Sequence, residues 1–295
     1  MSLVDYAIGI DAGATNVKGV GVDASGKILA KRSRAVGREK VDDIAAELLM
    51  DLYETCGGRA DAVGVAAPGI ASPDGRSILW MQRRLAEVQG IDWAKRLERS
   101  DGVPVLNDAQ AALLGEVWQG AARGCDNVIS LTLGTGVGGA AMVDGHLLRG
   151  HLGRAGHLGH ISLDPRGMPD IVNTPGSLED AIGDCTIERR SGGRFKSTAE
   201  LLAAPDDEAR KIWFDSVLAL ACGLASLINV LDPEVVIIGG GMIAAGAKLF
   251  DPLSDELNKV EWRPHGRAVR VVPAAAGEYA GALGAAFNAM KHATG

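Results

Sequence analysis

Apolar and small residues alternate through AIGIDAGATNVKGVGVD, and this period of two predicts a pair of strands joined by a glycine-containing turn. Ser25-Gly26 marks a second turn, after which KILAKRSRAV reads as a third strand. Ile44, Leu48, Leu49 and Leu52 fall at helical spacing and predict a helix over Asp42–Thr55. The run ADAVGVAA is short and apolar, as in a strand covered on both faces, and Pro68-Gly69 closes it. VPVL then predicts a strand leading into a helix over Ala109–Gln119.

The same pattern returns from Asn127, in VISLTLGTGVGGAAMVDGHLL. A constant offset of 121 residues pairs Ile8 with Ile129, Ile10 with Leu131, Gly13 with Gly134, Val22 with Val143 and Asp23 with Asp144. After a two-residue gap, Gly26 to Leu29 match Gly145 to Leu148. A long helix over Lys211–Leu231, the strand in PEVVIIGGG, a strand at 269–272 and a closing helix near Glu278–Lys291 complete the second copy. A repeat of this length implies a duplicated β-β-β-α-β-α core in an α/β chain. Two such halves facing each other would set two glycine hairpins across a cleft, a favoured place for a small molecule.

Bulk properties narrow the function. The 295 residues suit two domains, with 47% hydrophobic and 23% charged residues as in ordinary globular proteins. A net charge of -7 with no basic run argues against nucleic acid as a partner. The opening MSLVDYAIGIDAG has no cationic leader, and no segment reads as a membrane span, so a cytoplasmic protein is expected. Cys56, Cys125, Cys185 and Cys222 form no CxxC pair and read as reduced thiols.

The glycine hairpins carry candidate chemistry. In Asp11-Ala12-Gly13-Ala14-Thr15-Asn16-Val17-Lys18, Gly13 allows backbone N–H groups to approach phosphate, while Thr15 and Asn16 add donors and Lys18 a cation. Asp11, at a strand end, can hold Mg²⁺ through water. Gly134, Thr135 and Gly136 in LGTGVGG offer a second bed of amides. That turn leads into a strand rather than a helix, which disfavours a dinucleotide site. Gly239-Gly240-Gly241 follows a strand and precedes a helix; it suits either a tight turn or a wall against adenine and the α-phosphate. Asp108 opens a helix after a strand, where it can be a cap or a base for a hydroxyl attacking a γ-phosphate.

These segments together resemble the ROK family of bacterial sugar kinases, hexosamine kinases and sugar-responsive repressors. The resemblance spans DAGATNVK, VAAPG, NDAQAALLGE, LGTGVGGA, the GHLGH segment, IIGGG and AGALGAAF. It implies an actin/hexokinase/ribonuclease-H-like two-domain fold, here 1–112 with 283–295, and 113–282. It also implies ATP and Mg²⁺ as cosubstrate and cofactor, a sugar as acceptor, and a homodimer. Asp108 becomes the general base; Gly69, Asn107, His157, His160 and Glu179 join it around the sugar. Gly240 and Gly241 join the phosphate loops. No helix-turn-helix precedes the first strand of this sequence, which favours a kinase over a repressor.

Three departures stand out. The family's Glu-x-Gly-His reads His157-Leu158-Gly159-His160 here, and a neutral His accepts one hydrogen bond and donates one where Glu only accepts. Counting from His160, the three cysteines of the family's zinc site fall on Asp170, Val172 and Ser177. Without thiolates no structural zinc is expected, and the loop must be held by packing or by the Pro175-Gly176 turn. His151, His157 and His160 do not read as a metal trio. Gln82, Arg83 and Arg84 stand where glucokinases often carry Asn-Leu, either altering the sugar pocket or forming a solvated loop.

Overall fold

The computed structural model describes residues 4–81 and 86–294; Gln82, Arg83 and Arg84 lie outside them. Through the first half run β1 (Tyr6–Ala12), β2 (Asn16–Asp23), β3 (Ile28–Ala35), α1 (Val41–Cys56), β4 (Ala62–Ala67), β5 (Ile70–Ala71), β6 (Ile78–Trp80), α2 (Trp93–Arg96), β7 (Val105–Asn107) and α3 (Asp108–Gln119). Then follow β8 (Val128–Leu133), β9 (Val137–Val143), β10 (His146–Leu147), α4 (Leu178–Ile182), α5 (Ile187–Arg190), α6 (Thr198–Ala203), α7 (Asp207–Leu231), β11 (Val235–Gly239), α8 (Ala247–Val260), β12 (Arg270–Pro273) and α9 (Ala280–Thr294).

The chain divides into two compact units. The first comprises 1–124, 148–155 and 274–295; the second comprises 125–147 and 156–273. Each holds a five-stranded sheet, ordered β3-β2-β1-β4-β7 in the first and β10-β9-β8-β11-β12 in the second. In both, the first three strands are antiparallel and the last two run parallel to the central strand. The duplication predicted from the offset is therefore a duplication of topology. Its register needs one correction. Ala12 faces Val17 across the first hairpin, whereas Leu133 faces Val137 across the second. The second turn is one residue shorter, so Met142, not Val143, is the pairing equivalent of Val22. The third strand also differs: β3 has eight residues and β10 only two.

In the first unit, one face of the sheet packs α1 through Ile44, Leu48, Leu49 and Leu52, all buried. Asp42 and Asp43 suit the positive N-terminal end of α1, and Gly57 closes it at φ 93°. The other face receives α9 through Ala282, Leu283, Ala286 and Ala289. That helix can lie on the strands because Gly9 and Gly64 have no side chains; a Cβ on Gly9 would stand 1.8 Å from the carbonyl oxygen of Ala282. Glu116, buried in α3, accepts hydrogen bonds from the N–H groups of Ala275 and Ala276 and so fixes the chain entering α9.

In the second unit, α7 begins at Asp206, whose carboxylate accepts from the Ala209 N–H at 3.0 Å. The expectation that no segment reaches membrane length needs correction. Among the described residues, α7 has 25 residues and is long and apolar enough to cross a membrane by length and composition. Trp213, Val217, Leu220, Leu224 and Ile228 form a buried stripe along it, and it packs against α4, α6 and α8. This is the pattern of a core helix.

Candidate active site

In the first unit, β1 delivers Asp11 opposite Lys18 of β2 and beside Ala66 of β4. The turn after it needs Gly13, where a Cβ would stand 2.8 Å from the Asn16 carbonyl oxygen. Thr15 is exposed on that turn, and its carbonyl accepts from the Val36 N–H at 2.9 Å. The Asp11 carboxylate lies against the first turn of α9 at Gly281. Its pKa is raised to about 7, chiefly by burial and then by the neighbouring Asp108 carboxylate, while Lys18 opposes the rise. The Lys18 ammonium donates to the Glu278 carbonyl at 3.0 Å and pairs with the Glu278 carboxylate at 3.3 Å.

Asp108 is the first residue of α3 and is exposed. The cap of this helix is Asn107: its side-chain oxygen accepts from the N–H groups of Ala109 at 2.9 Å and Gln110 at 3.3 Å. Its amide donates to the Gly69 carbonyl at 2.8 Å, and Gly69 has φ 108°. Asn107 thus ties the end of β7 to the Pro68-Gly69 turn, while Asp108 accepts from the Ala109 N–H at 2.9 Å. Helix capping does not require the Asp108 carboxylate.

In the second unit, the Gly134–Gly136 turn joins β8 to β9 and is propped from behind. The N–H groups of Asp184 and Cys185 donate to the Gly134 and Thr135 carbonyls at 3.0 and 2.8 Å. Glu179, buried on α4, accepts from the Val137 N–H at 2.9 Å. Gly240, at φ 85°, passes so close to β8 that a Cβ would meet the Leu133 carbonyl oxygen at 2.2 Å. Together these turns open a cavity of about 610 Å³, lined by Gly134, Thr135, Gly241, Ser197, Thr198 and Lys248 among others. That is the volume of a pocket for a drug-sized or nucleotide-sized ligand.

On the same unit, the chain from 161 to 178 folds back on itself. Leu178 N–H donates to the Ile161 carbonyl and Leu163 N–H to the Gly176 carbonyl. Gly176 takes φ 51° against Asp164, so the Pro175-Gly176 turn is one of the features that hold the loop. The fold-back brings His160, Asp170 and Glu179 together, with one ligand-type atom of each within 4.8 Å of the others. His151 and His157 are not in that group, the only such group among the described residues.

A family model described as ROK family matches residues 7–292. The chain belongs to the ROK family. A glucokinase of Thermotoga maritima is 33% identical over 305 residues, covering 95% of each chain. A ROK hexokinase of Thermus thermophilus superposes with a TM-score of 0.86 at 29% identity, covering 98% of this chain and 99% of the other. A ROK glucokinase of Streptomyces griseus, solved with glucose and AMPPNP, superposes with a TM-score of 0.77 at 26% identity over 97% and 99% of the two chains.

The fold is accordingly the actin/hexokinase-like fold of ROK hexokinases, as expected from the resemblance. Of the residues read from the sequence, the first unit holds Asp11, Gly13, Thr15, Asn16, Lys18, Gly69, Asn107 and Asp108. The second holds Gly134, Thr135, Gly136, His157, His160, Glu179, Gly240 and Gly241. The ROK reading did not single out Ser197, Thr198 and Lys248, which line the cavity from α6, its N-cap and α8. No motif marks them, because they reach the glycine turns only through the packing of two helices. Nor did it assign a bond to Asp170, although the count from His160 had already landed on it.

The zinc of many ROK proteins finds a poor donor set here. Val172 offers no ligand atom, and one oxygen of Asp170 is taken by the N–H groups of Val172 and Thr174, at 2.9 Å each. Its other oxygen is 2.8 Å from Nδ1 of His160. That bond engages Nδ1 of His160 and one lone pair of the Asp170 carboxylate, so the two side chains face each other rather than a shared ion.

Proposed function

We propose that this ROK protein transfers the γ-phosphoryl group of ATP to a hydroxyl of a hexose or related sugar, with Asp108 as general base. The observation that carries the reading is the division of labour at the start of α3: Asn107 caps the helix, and the adjacent carboxylate is presented beside Asp11. The sugar hydroxyl gives its proton to the Asp108 carboxylate as its oxygen attacks the γ-phosphorus and ADP leaves. Asn107, Gly69, His160 and Glu179 are the candidate sugar contacts, with His157 tuning the choice of sugar. Gly134, Thr135, Gly136, Gly240 and Gly241 are the candidate phosphate-binding positions of the second unit; in the first, Gly13 lets backbone approach phosphate while Thr15 and Asn16 add side-chain donors.

Mg²⁺ fits the carboxylate pair of the first unit. Asp11 carries a carboxylate that its surroundings disfavour as an anion, next to a second carboxylate, and a cation relieves that repulsion. Asp11 would hold the ion through water, and the ion would neutralise charge on the transferred phosphate. Lys18, engaged with Glu278, stiffens the first hairpin and offsets part of the negative charge of Asp11.

An ADP-release assay over hexoses, amino sugars, acetylated hexosamines and polyols tests the proposal. At least one sugar should stimulate turnover, and Asp108→Asn should lower its kcat by about 10²-fold or more. Sugars that bind without stimulating ADP release would replace the kinase reading with that of a sugar sensor. A variant at Asp108 with near wild-type kcat would remove this residue as the base.

A further inference from the structure

We infer that Asp170, with Ser177 buried beside it, holds the His160 ring by a hydrogen bond, taking over the positions and the task of metal-bound thiolates, and so commits Nε2 as the atom His160 offers to a ligand. Two of the three positions where the ROK resemblance places zinc cysteines carry polar side chains here: Asp170, bonded to His160, and Ser177, buried near it. Oδ2 of Asp170 lies 2.8 Å from Nδ1 of His160. Ser177 is fully buried near the same carboxylate, which it helps keep ionised, and its hydroxyl oxygen accepts from the Asp180 N–H at 3.2 Å.

The carboxylate is fixed by bonds of its own besides the one to the histidine. Its side chain is 2% exposed. Its second oxygen accepts from the N–H groups of Val172 and Thr174, at 2.9 Å each. The main chain of Asp170 closes the same small loop, donating to the Thr174 carbonyl at 2.9 Å and accepting from Asn173 at 3.0 Å. Burial works to raise the Asp170 pKa, but the bonds from Thr174, His160, Ser177 and Val172 outweigh it and hold the carboxyl below its ordinary value.

An ionised carboxylate can only accept, so the imidazole nitrogen facing it must carry the hydrogen. In the neutral ring that leaves Nε2 as a bare acceptor, fixed in direction by the bond on the opposite edge. The His160 side chain keeps 23% of its surface exposed, against 2% for Asp170. The ring is therefore anchored on one edge and still partly exposed, with Glu179 beside it. A nitrogen acceptor next to a carboxylate acceptor selects a ligand presenting hydroxyl donors. This last step rests on the sugar-kinase reading; the tautomer and the anchoring do not.

The test separates the two. Long-range ¹H–¹⁵N correlation on the ¹⁵N-labelled full chain, without sugar or nucleotide, should show His160 as the Nδ1–H tautomer, with the signal assigned by its loss in His160→Gln. Metal analysis of the same sample should find no stoichiometric zinc. In Asp170→Asn the Nδ1–H preference should be lost. KM for the accepted sugar should rise about tenfold, the usual worth of one charge-assisted hydrogen bond, with KM for ATP and kcat changing by much less. Ser177→Ala should move sugar KM in the same direction by a smaller factor. It also serves as the second variant if Asp170→Asn does not fold. An Nε2–H tautomer in the wild type, one zinc per chain, or an unchanged sugar KM in folded variants would each overturn the inference. A chain that turns over no sugar but shows the Nδ1–H tautomer, lost in Asp170→Asn, would sink the kinase reading and leave the anchoring standing.

Discussion

Replacing Asp11 by Asn should make the ligand-free protein more stable above pH 7 while weakening its use of Mg-ATP. Asp11 has a pKa of about 7 in the folded chain against an ordinary value of 3.8, because burial disfavours the carboxylate and Asp108 repels it. The folded state therefore binds a proton that the unfolded chain has already released. From the linkage relation, this group stabilises the fold fully at pH below about 4, and the contribution is lost as pH rises to about 7. The full difference corresponds to about 4 kcal/mol. Asp11 retains some contact with solvent, so about 2 kcal/mol is the working expectation. Asparagine has the same shape and no ionisation, so its variant lacks this loss.

Thermal unfolding of the wild type and Asp11→Asn from pH 4 to pH 8, in buffers without divalent cations or nucleotide, measures the effect. The two melting curves should converge at the acid end and separate with rising pH, the variant becoming the more stable. Asp108→Asn should reduce the same pH slope, since it removes one source of the raised pKa. Added Mg²⁺ should stabilise the wild type more than Asp11→Asn at pH 8. Parallel pH dependences in wild type and Asp11→Asn would refute the claim that Asp11 is held against its charge.

Two further substitutions test the packing that supports the site. In Gly284→Ala the new Cβ would stand 1.7 Å from the Ala111 carbonyl oxygen, so α3 and α9 must separate; a loss of about 3 kcal/mol in denaturant unfolding is expected, at the upper end of overpacking costs. Asn107→Ala removes the cap of α3 and the bond to the Gly69 carbonyl, at about 2 kcal/mol together, whereas Asp108→Ala should cost much less stability and far more activity. Equal stability losses at 107 and 108 would show that capping is shared and weaken the case for a dedicated base.

Much of this site was legible because its signals are local. A glycine hairpin is set by residues within a few positions of one another, so both phosphate-type turns and their repeat could be read directly. Asp108 was legible as a helix-opening carboxylate, but its neighbour's side chain decides whether it is a cap. That decision depends on the Gly69 carbonyl, 38 residues away. The register slip was hidden for a related reason: one residue more or less in a turn leaves the apolar alternation of both strands intact. His160, Asp170 and Ser177 could be counted into place from the resemblance. The bond between His160 and Asp170 could not be read, because a loop without periodic pattern carries no signal for which polar side chains meet.

The sequence by itself determined the two halves, their strand–helix order and the glycine turns between their strands, since alternation, helical spacing and glycine turns act over short separations. Only the tertiary structure decided the raised pKa of Asp11, the return of α9 onto β1 and β4, and the hydrogen bond to Asp170 that anchors His160. Each of these is set by what a folded chain places beside a group and by how much water it removes, and neither quantity is a property of neighbouring letters in a sequence.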